Sequence, residues 1–420
     1  MSKLIFRSLA IVGFLLAMLA ACLADPQPPA WQGVYEGTIG SAHVVAALAE
    51  DGARYFYAGK ANDLGLIVSA QGTALSIEET LTPTIADDDL KDHPQLLSGL
   101  WKVNFADDAI KGTWTDAQEK HPLPISLRRV STADQSLYGA STSLGNPGAY
   151  GGRWIKAAPA LVAEAKEEIA GPLTFRLLRD PQFGGAVPRL LRAPPNVNIE
   201  AVNQSLDRLQ IYLRLQDRDC FQGLRANRAR TAEGKIGDID KSGADETSPA
   251  VLTPGFATDH VLTLDESEMT YCGGAHPDQI LETFTFDLSD GAQLTSLGFE
   301  DSNEDLGPKA LGRVLDLESP AKRAKFTALW MGMMRAAIKA DRKGAPPSDD
   351  DCGKIIEDAI ADTSNPASIA VFPTSKGLAV RVVSLFSAAQ ACEDQDPYNP
   401  IIISYAALKP FLKPGQQLLP

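Results

Sequence analysis

Histidine and cysteine are scarce, five of each in 420 residues, and neither is spaced for a metal. No C-x-x-C pair occurs and no two histidines stand three or four apart, which excludes the usual zinc patterns. Also missing are a G-x-S-x-G elbow, an H-E-x-x-H helix, a phosphate-binding loop and a G-x-G-x-x-G turn ahead of a helix. The expectation is therefore no metal, no cofactor and no catalytic residue. Basic residues are the minority, 39 Lys and Arg against 53 Asp and Glu for a formal charge of −14. That balance argues against nucleic acid, because phosphate contacts need clustered cations. Beyond residue 24 no apolar run approaches the length of a membrane helix.

What is present begins with a leader. Lys3 and Arg7 precede an apolar run over residues 9–19, and small residues follow at Ala20, Ala21, Cys22 and Ala24. This is the pattern of a secretory signal, too short to span a bilayer. Leu19-Ala20-Ala21-Cys22 also reads as a lipobox with Cys22 as the acylated residue; the alternative is ordinary cleavage after Ala24. Either route removes Lys3 and Arg7 and takes the formal charge from −14 to −16. The expected location is outside the cytoplasm, as a periplasmic protein or outer-membrane lipoprotein of a Gram-negative bacterium, touching membrane only through Cys22. Four cysteines remain, Cys220, Cys272, Cys352 and Cys392. An even number in an exported chain suggests disulfides, with three pairings open; the sequential one, Cys220–Cys272 and Cys352–Cys392, is favoured.

The first module is expected over residues 25–130. Alternating segments at 33–39, 42–48, 54–57, 64–68, 74–77, 99–105, 110–114 and 125–127 are separated by turn signals such as Glu50-Asp51-Gly52 and Ala106-Asp107-Asp108. That rhythm predicts an antiparallel all-β meander, a small barrel or a sandwich. Asp87-Asp88-Asp89 falls in its longest connection, expected as a solvated loop. Residues 131–171 read as a Ser-, Gly- and Ala-rich linker with a helix over 157–169.

From 172 to 420 helices and strands alternate irregularly, which predicts α+β. Ile199, Val202, Leu206, Leu209 and Leu213 form one stripe of a helix starting near Asn198. A second helix is expected over 319–339, capped by Ser319 and burying Phe326, Leu329, Trp330, Met333, Met334 and Ile338. Strands are expected at 173–178, 261–264, 282–288, 368–372, 378–386 and 401–404.

Three local patterns invite chemistry. Ser319-Pro320-Ala321-Lys322 fits S-x-x-K, but the helix cap explains it and no S-D-N or K-T-G companion exists. Asp238 to Gly243 resembles half of a calcium loop, with Pro249 where a bidentate Glu is needed. The most unusual string is Tyr271-Cys272-Gly273-Gly274-Ala275-His276-Pro277-Asp278. Its glycines permit a sharp turn or close approach to a ligand, and Tyr271, Gly273, Gly274, His276 and Asp278 are the candidate binding residues.

That string, followed by Phe284-Thr285-Phe286-Asp287-Leu288 and Asp290-Gly291, resembles the "GGAH … DL-x-x-G" core of the RsiV-like exported domains. Pro188-Arg189-Leu190 ahead of Asn203, residues 372–378 and residues 401–412 agree, so the resemblance spans roughly 171–412. It implies an α+β domain that binds or senses without doing chemistry; such domains include a lysozyme-binding one and segments attached to some peptidoglycan deacetylases. The aromatic, Pro-Tyr-containing loop that the family often carries before its last strand is missing here. The resulting expectation is a non-catalytic envelope protein that binds a cationic protein such as lysozyme, or peptidoglycan fragments. The rivals are a peptidoglycan-acting enzyme with a site near His276, aided by Asp278 or Asp287, and a structural interaction protein.

Overall fold

The computed structural model describes residues 29–50, 52–83, 87–132, 147–231, 248–270, 278–280, 283–294, 315–316, 319–341, 368–384 and 401–415. The first module is a closed eight-stranded barrel: β1 (Gly33–Ile39), β2 (Ala42–Leu48), β3 (Arg54–Tyr57), β4 (Asp63–Gln71), β5 (Ala74–Thr80), β6 (Leu97–Ala106), β7 (Ala109–Asp116) and β8 (Leu123–Thr132). Each strand pairs antiparallel with the next, and β8 returns to β1 from Ile39↔Ile125 to Gly33↔Thr132, leaving no free edge. Of the two architectures open to the meander, the barrel is the one adopted. The Asp87 stretch forms a short helix, α1 (Asp87–Asp92), where a loop was expected.

Alternation decides which side chains fill the barrel. Tyr35 and Ile39, Val44 and Ala46, Leu75 and Ile77, Trp101 and Val103, and Ile125 and Leu127 point inward into one packed core. At one end Arg129 closes that core: its guanidinium stacks over Phe105 and Tyr35, bonds the Tyr35 hydroxyl and pairs with Asp108. Asp107 and Asp108 both have positive φ, as a tight hairpin between β6 and β7 requires.

The outward residues of β1 to β3 build a second core. Val34, Val45, Ala47 and Phe56 pack against Tyr150 and Trp154 of α2 (Gly148–Ala157) and Leu215 of α3 (Ile199–Thr231). The segment expected to be helical over 157–169 is instead β9 (Val162–Ala170). Helix propensity from its Ala and Glu residues is outweighed by pairing: β9 hydrogen-bonds β10 (Leu173–Arg179), and its acids face arginines, Glu164 on Arg179 and Glu167 on Arg176 and Arg192. The second sheet therefore opens inside the expected linker.

That sheet continues through β11 (Ala186–Arg192), β12 (Ser248–Ala257), β13 (Val261–Thr270), β14 (Asp278–Ile280), β15 (Thr283–Asp287) and β16 (Gln293–Leu294), in the order β16-β15-β13-β12-β11-β10-β9 with β14 beside β13. The predicted stripe of α3 lies on it: Val202, Leu206, Leu209 and Leu213 pack against Leu173, Phe175, Leu252, Leu262 and Phe286. Asn198 begins the helix, its side chain accepting from the Ala201 amide. Asn203 completes the contact by bonding both the amide and the carbonyl of Leu190 on β11. A last unit holds α4 (Pro320–Asp341) beside β17 (Ser368–Pro373), β18 (Gly377–Ser384) and β19 (Ile401–Ser404). The whole is α+β, a barrel followed by a second sheet with few helices. Among the described residues no helix is long and apolar enough to cross a membrane.

Charged groups tie barrel to helix. Asp219 of α3 accepts from Arg54 at 3.1 Å and from Arg218 at 2.9 Å, while Asp63 lies 3.8 Å from each of those arginines. Arg214 pairs with buried Asp180 at 2.6 Å. The Trp154 ring faces Arg218 and Arg214, and its indole donates to the Ala61 carbonyl.

Candidate functional site

The loop singled out by sequence lies largely outside the described residues: Tyr271, Cys272, Gly273, Gly274 and His276 all fall there, as do Cys22, Cys352, Cys392 and residues 238–243. Asp278 begins β14, paired with Thr270 on β13. Cys220 is buried in α3 and disulfide-bonded; Cys272, its expected partner, lies outside the described residues. Asp287, a carboxylate considered for catalysis, accepts from the amide and hydroxyl of Ser289 and so holds the turn after β15. The S-x-x-K pattern resolves into packing: Ser319 accepts from the Lys322 amide as a cap, and the Lys322 ammonium pairs with Asp316.

Two His–carboxylate pairs occur among the described residues. His121 Nδ1 lies 2.7 Å from Asp116, and His260 Nε2 lies 3.6 Å from Asp259. His121 is exposed and His260 half-buried. The His121 hydrogen bond is the main cause holding the Asp116 carboxyl below its usual range. No group of three His, Cys, Asp or Glu side chains converges among the described residues as a metal ion would need.

The most organised polar group is inside the barrel, at the end opposite Arg129. The inward position on β5 after Leu75 and Ile77 is Glu79, 3 % exposed. Its Oε2 accepts from the Tyr55 hydroxyl at 2.7 Å, the Trp114 indole at 2.8 Å and the Trp101 indole at 3.0 Å. Its Oε1 accepts from Ser98 at 2.8 Å. Three donors converge on Oε2 and one on Oε1, so the protein itself supplies most of this carboxylate's hydrogen bonds. Burial, with the Glu79 charge adding to it, pushes the Tyr55 phenol far above its ordinary range; burial also raises Tyr57. Tyr55 meets Tyr57 and Trp101 edge to face at 5.4 and 5.1 Å.

Around this carboxylate the outer members are only half-buried: Tyr57, Leu64 and Trp114. The Trp114 indole lies across Gly99, where a Cβ would come within 2.5 Å of Nε1, so glycine is what lets the ring reach Glu79. Leu123 is exposed beside the Gly40 turn. The arrangement is a rigid aromatic rim on an anionic base. It suits contact with a flat or apolar ligand face. Sequence reasoning placed Trp114 and Glu79 in or beside strands but did not single them out. The signal was an acid at an inward position of an otherwise apolar strand, in a module also supplying inward Trp and Tyr.

No family model matches the chain, and no curated protein matches it. A crystal structure of a DUF3298 family protein from Pseudomonas aeruginosa PAO1 is similar at 16 % identity, over 62 % of this chain and 97 % of that one, with a TM-score of 0.29. A likeness this weak carries no argument about activity.

Proposed function

We propose that this chain is an exported, non-catalytic binding protein of the bacterial envelope, and that the barrel end around Tyr57 and Trp114 takes a cell-wall glycan fragment. The observation that carries the reading is Glu79. Four protein donors converge on it, three of them aromatic, so it fixes the rings of Tyr55, Trp101 and Trp114. Half-buried aromatic rings at a barrel end are what sugar faces stack on. The RsiV-like pattern and the leader support the envelope setting, and a formal charge of −16 once the leader is removed would speed encounter with a cationic protein such as lysozyme.

The test is a tryptophan-fluorescence and calorimetric titration of the protein with peptidoglycan fragments, and in parallel with lysozyme across a salt series. Saturable glycan binding, weakened about tenfold or more by Trp114→Ala in a variant that still melts cooperatively, is the expected result (about 1.4 kcal/mol per factor of ten). Binding of lysozyme alone, fading with salt, would move the ligand to the protein class. Glycan turnover that disappears in His276→Ala would replace the reading with the enzyme.

A further inference from the structure

The buried acids of this chain differ in how their charge is balanced. Asp180 pairs with Arg214 at 2.6 Å, and Asp63 lies between Arg54 and Arg218. Glu79 is buried almost as deeply, yet its four donors, two indoles, a phenol and a Ser hydroxyl, are all neutral. Among the described residues no Lys, Arg or His pairs with it. Lys102, on the neighbouring strand β6, turns outward to Glu119 at 2.9 Å. Neutral donors solvate a carboxylate without cancelling its charge, and a low-dielectric interior screens that charge poorly.

The half-buried rings of the barrel end are tied to this anion by their polar edges. Trp114 donates its indole N–H to Glu79 directly. The one hydroxyl proton of Tyr55 goes to Glu79, so Tyr57, 3.2 Å away, donates to the Tyr55 oxygen. Both Tyr57 and Trp114 thus turn a positive edge inward and keep an electron-rich face for a ligand. An anion behind such faces favours a cation in front of them. Half-burial lets that cation keep part of its water, so its desolvation is incomplete.

We propose that the sugar bound at this end carries a free ammonium, a hexosamine nitrogen without its acetyl group, seated against Trp114 and Tyr57 with Glu79 as the charge behind them. On a sugar ring that nitrogen is the group that supplies a positive charge. The inference rests on the glycan reading above and narrows it to a fragment with a de-N-acetylated unit.

Calorimetric titration of the full chain with two matched probes, a chitosan tetramer and the fully acetylated chitin tetramer, tests it on the acid side of the amine's own titration. The wild-type chain should bind the amine-bearing tetramer at least about fivefold more tightly, the scale of a cation on an exposed aromatic face. An acidic chain attracts any polycation, so the variant Glu79→Gln carries the decision. It keeps the Oε2 bonds and removes the charge, and the ratio of the two affinities should fall to less than about half of its wild-type value. Equal binding of the two tetramers, a preference for the acetylated one, or a ratio unchanged in Glu79→Gln overturns this inference and leaves the glycan reading standing. Binding of neither removes both. Should Glu79→Gln not melt cooperatively, Trp114→Phe supplies the ratio instead. Its weaker π face should cost the amine-bearing tetramer more than the acetylated one, and an unchanged ratio overturns the proposal.

Discussion

Glu79 and Asp63 are both buried acids of the barrel, yet their surroundings demand opposite responses to substitution. Glu79 has four donors. In Glu79→Gln the amide oxygen keeps the Oε2 bonds, and Ser98 can turn to accept from the new NH₂ while donating to the Glu79 carbonyl it already faces. The loss is charge assistance, about 1 kcal/mol. Glu79→Ala strands a phenol and two indole donors and should cost more than about 3 kcal/mol; urea unfolding followed by tryptophan fluorescence would rank the two variants. Asp63 is pushed above its ordinary range by burial, against the pull of Arg218, Arg54 and a Gln222 hydrogen bond. Its folded pKa thus exceeds its unfolded value. Its contribution to stability is full below the ordinary carboxylate pKa near 3.8 and is lost as pH rises through the higher folded value. Asp63→Asn should therefore melt no lower than wild type at pH 8, with any advantage shrinking as pH falls towards 4. A variant that melts lower at pH 8 and gains on acidification would reverse the sign. Neither role was legible in sequence, because each depends on partners brought from elsewhere, such as Asp219 lying 165 positions from Arg54.

At the scale of elements, what sequence revealed depended on whether a segment's own periodicity determined its structure. The barrel strands alternate because each has one side in a closed core, and the α3 stripe was visible because one sheet covers it. For β9 the local signal pointed the other way, since Ala and Glu favour a helix and only pairing with β10 and its arginines makes it a strand. α2 was hidden in a Gly-rich stretch, and its reason to exist is the apolar wall it covers. Closure of the barrel adds a demand that alternation does not reveal. At Gly37, on the β1–β8 seam, a Cβ would stand 2.0 Å from the Ser126 carbonyl oxygen. Gly37→Ala must push the two strands apart where they close the barrel, at a cost of about 1–3 kcal/mol. A drop in the denaturation midpoint with faster amide exchange confined to β1 and β8 would locate the damage; exchange spread evenly over the barrel would mean the seam is not the weak point.

At the scale of the whole molecule, the barrel is closed in hydrogen bonding but not in burial. Its outer wall carries Val34, Val45, Ala47, Phe56 and Ala61, each at most 3 % exposed because Tyr150, Trp154 and Leu215 cover them. An independently stable barrel would present polar residues there, as alternation ordinarily provides. This one exchanges an apolar wall for a fixed position against α2 and α3, and Arg54 and Asp63 beside that wall need the charges of α3. Cutting the chain at 132 should therefore expose a contiguous apolar patch and strip the Arg54–Asp63 pair of its α3 partners Arg218 and Asp219. Dye binding to a fragment of residues 29–132 should be several-fold higher per molecule than to the full chain, with self-association in sedimentation. A fragment of 29–157, which restores Tyr150 and Trp154, should fall between them. If the shorter fragment stays monomeric and binds no more dye than the full chain, the wall is not a docking interface and the barrel is an autonomous domain.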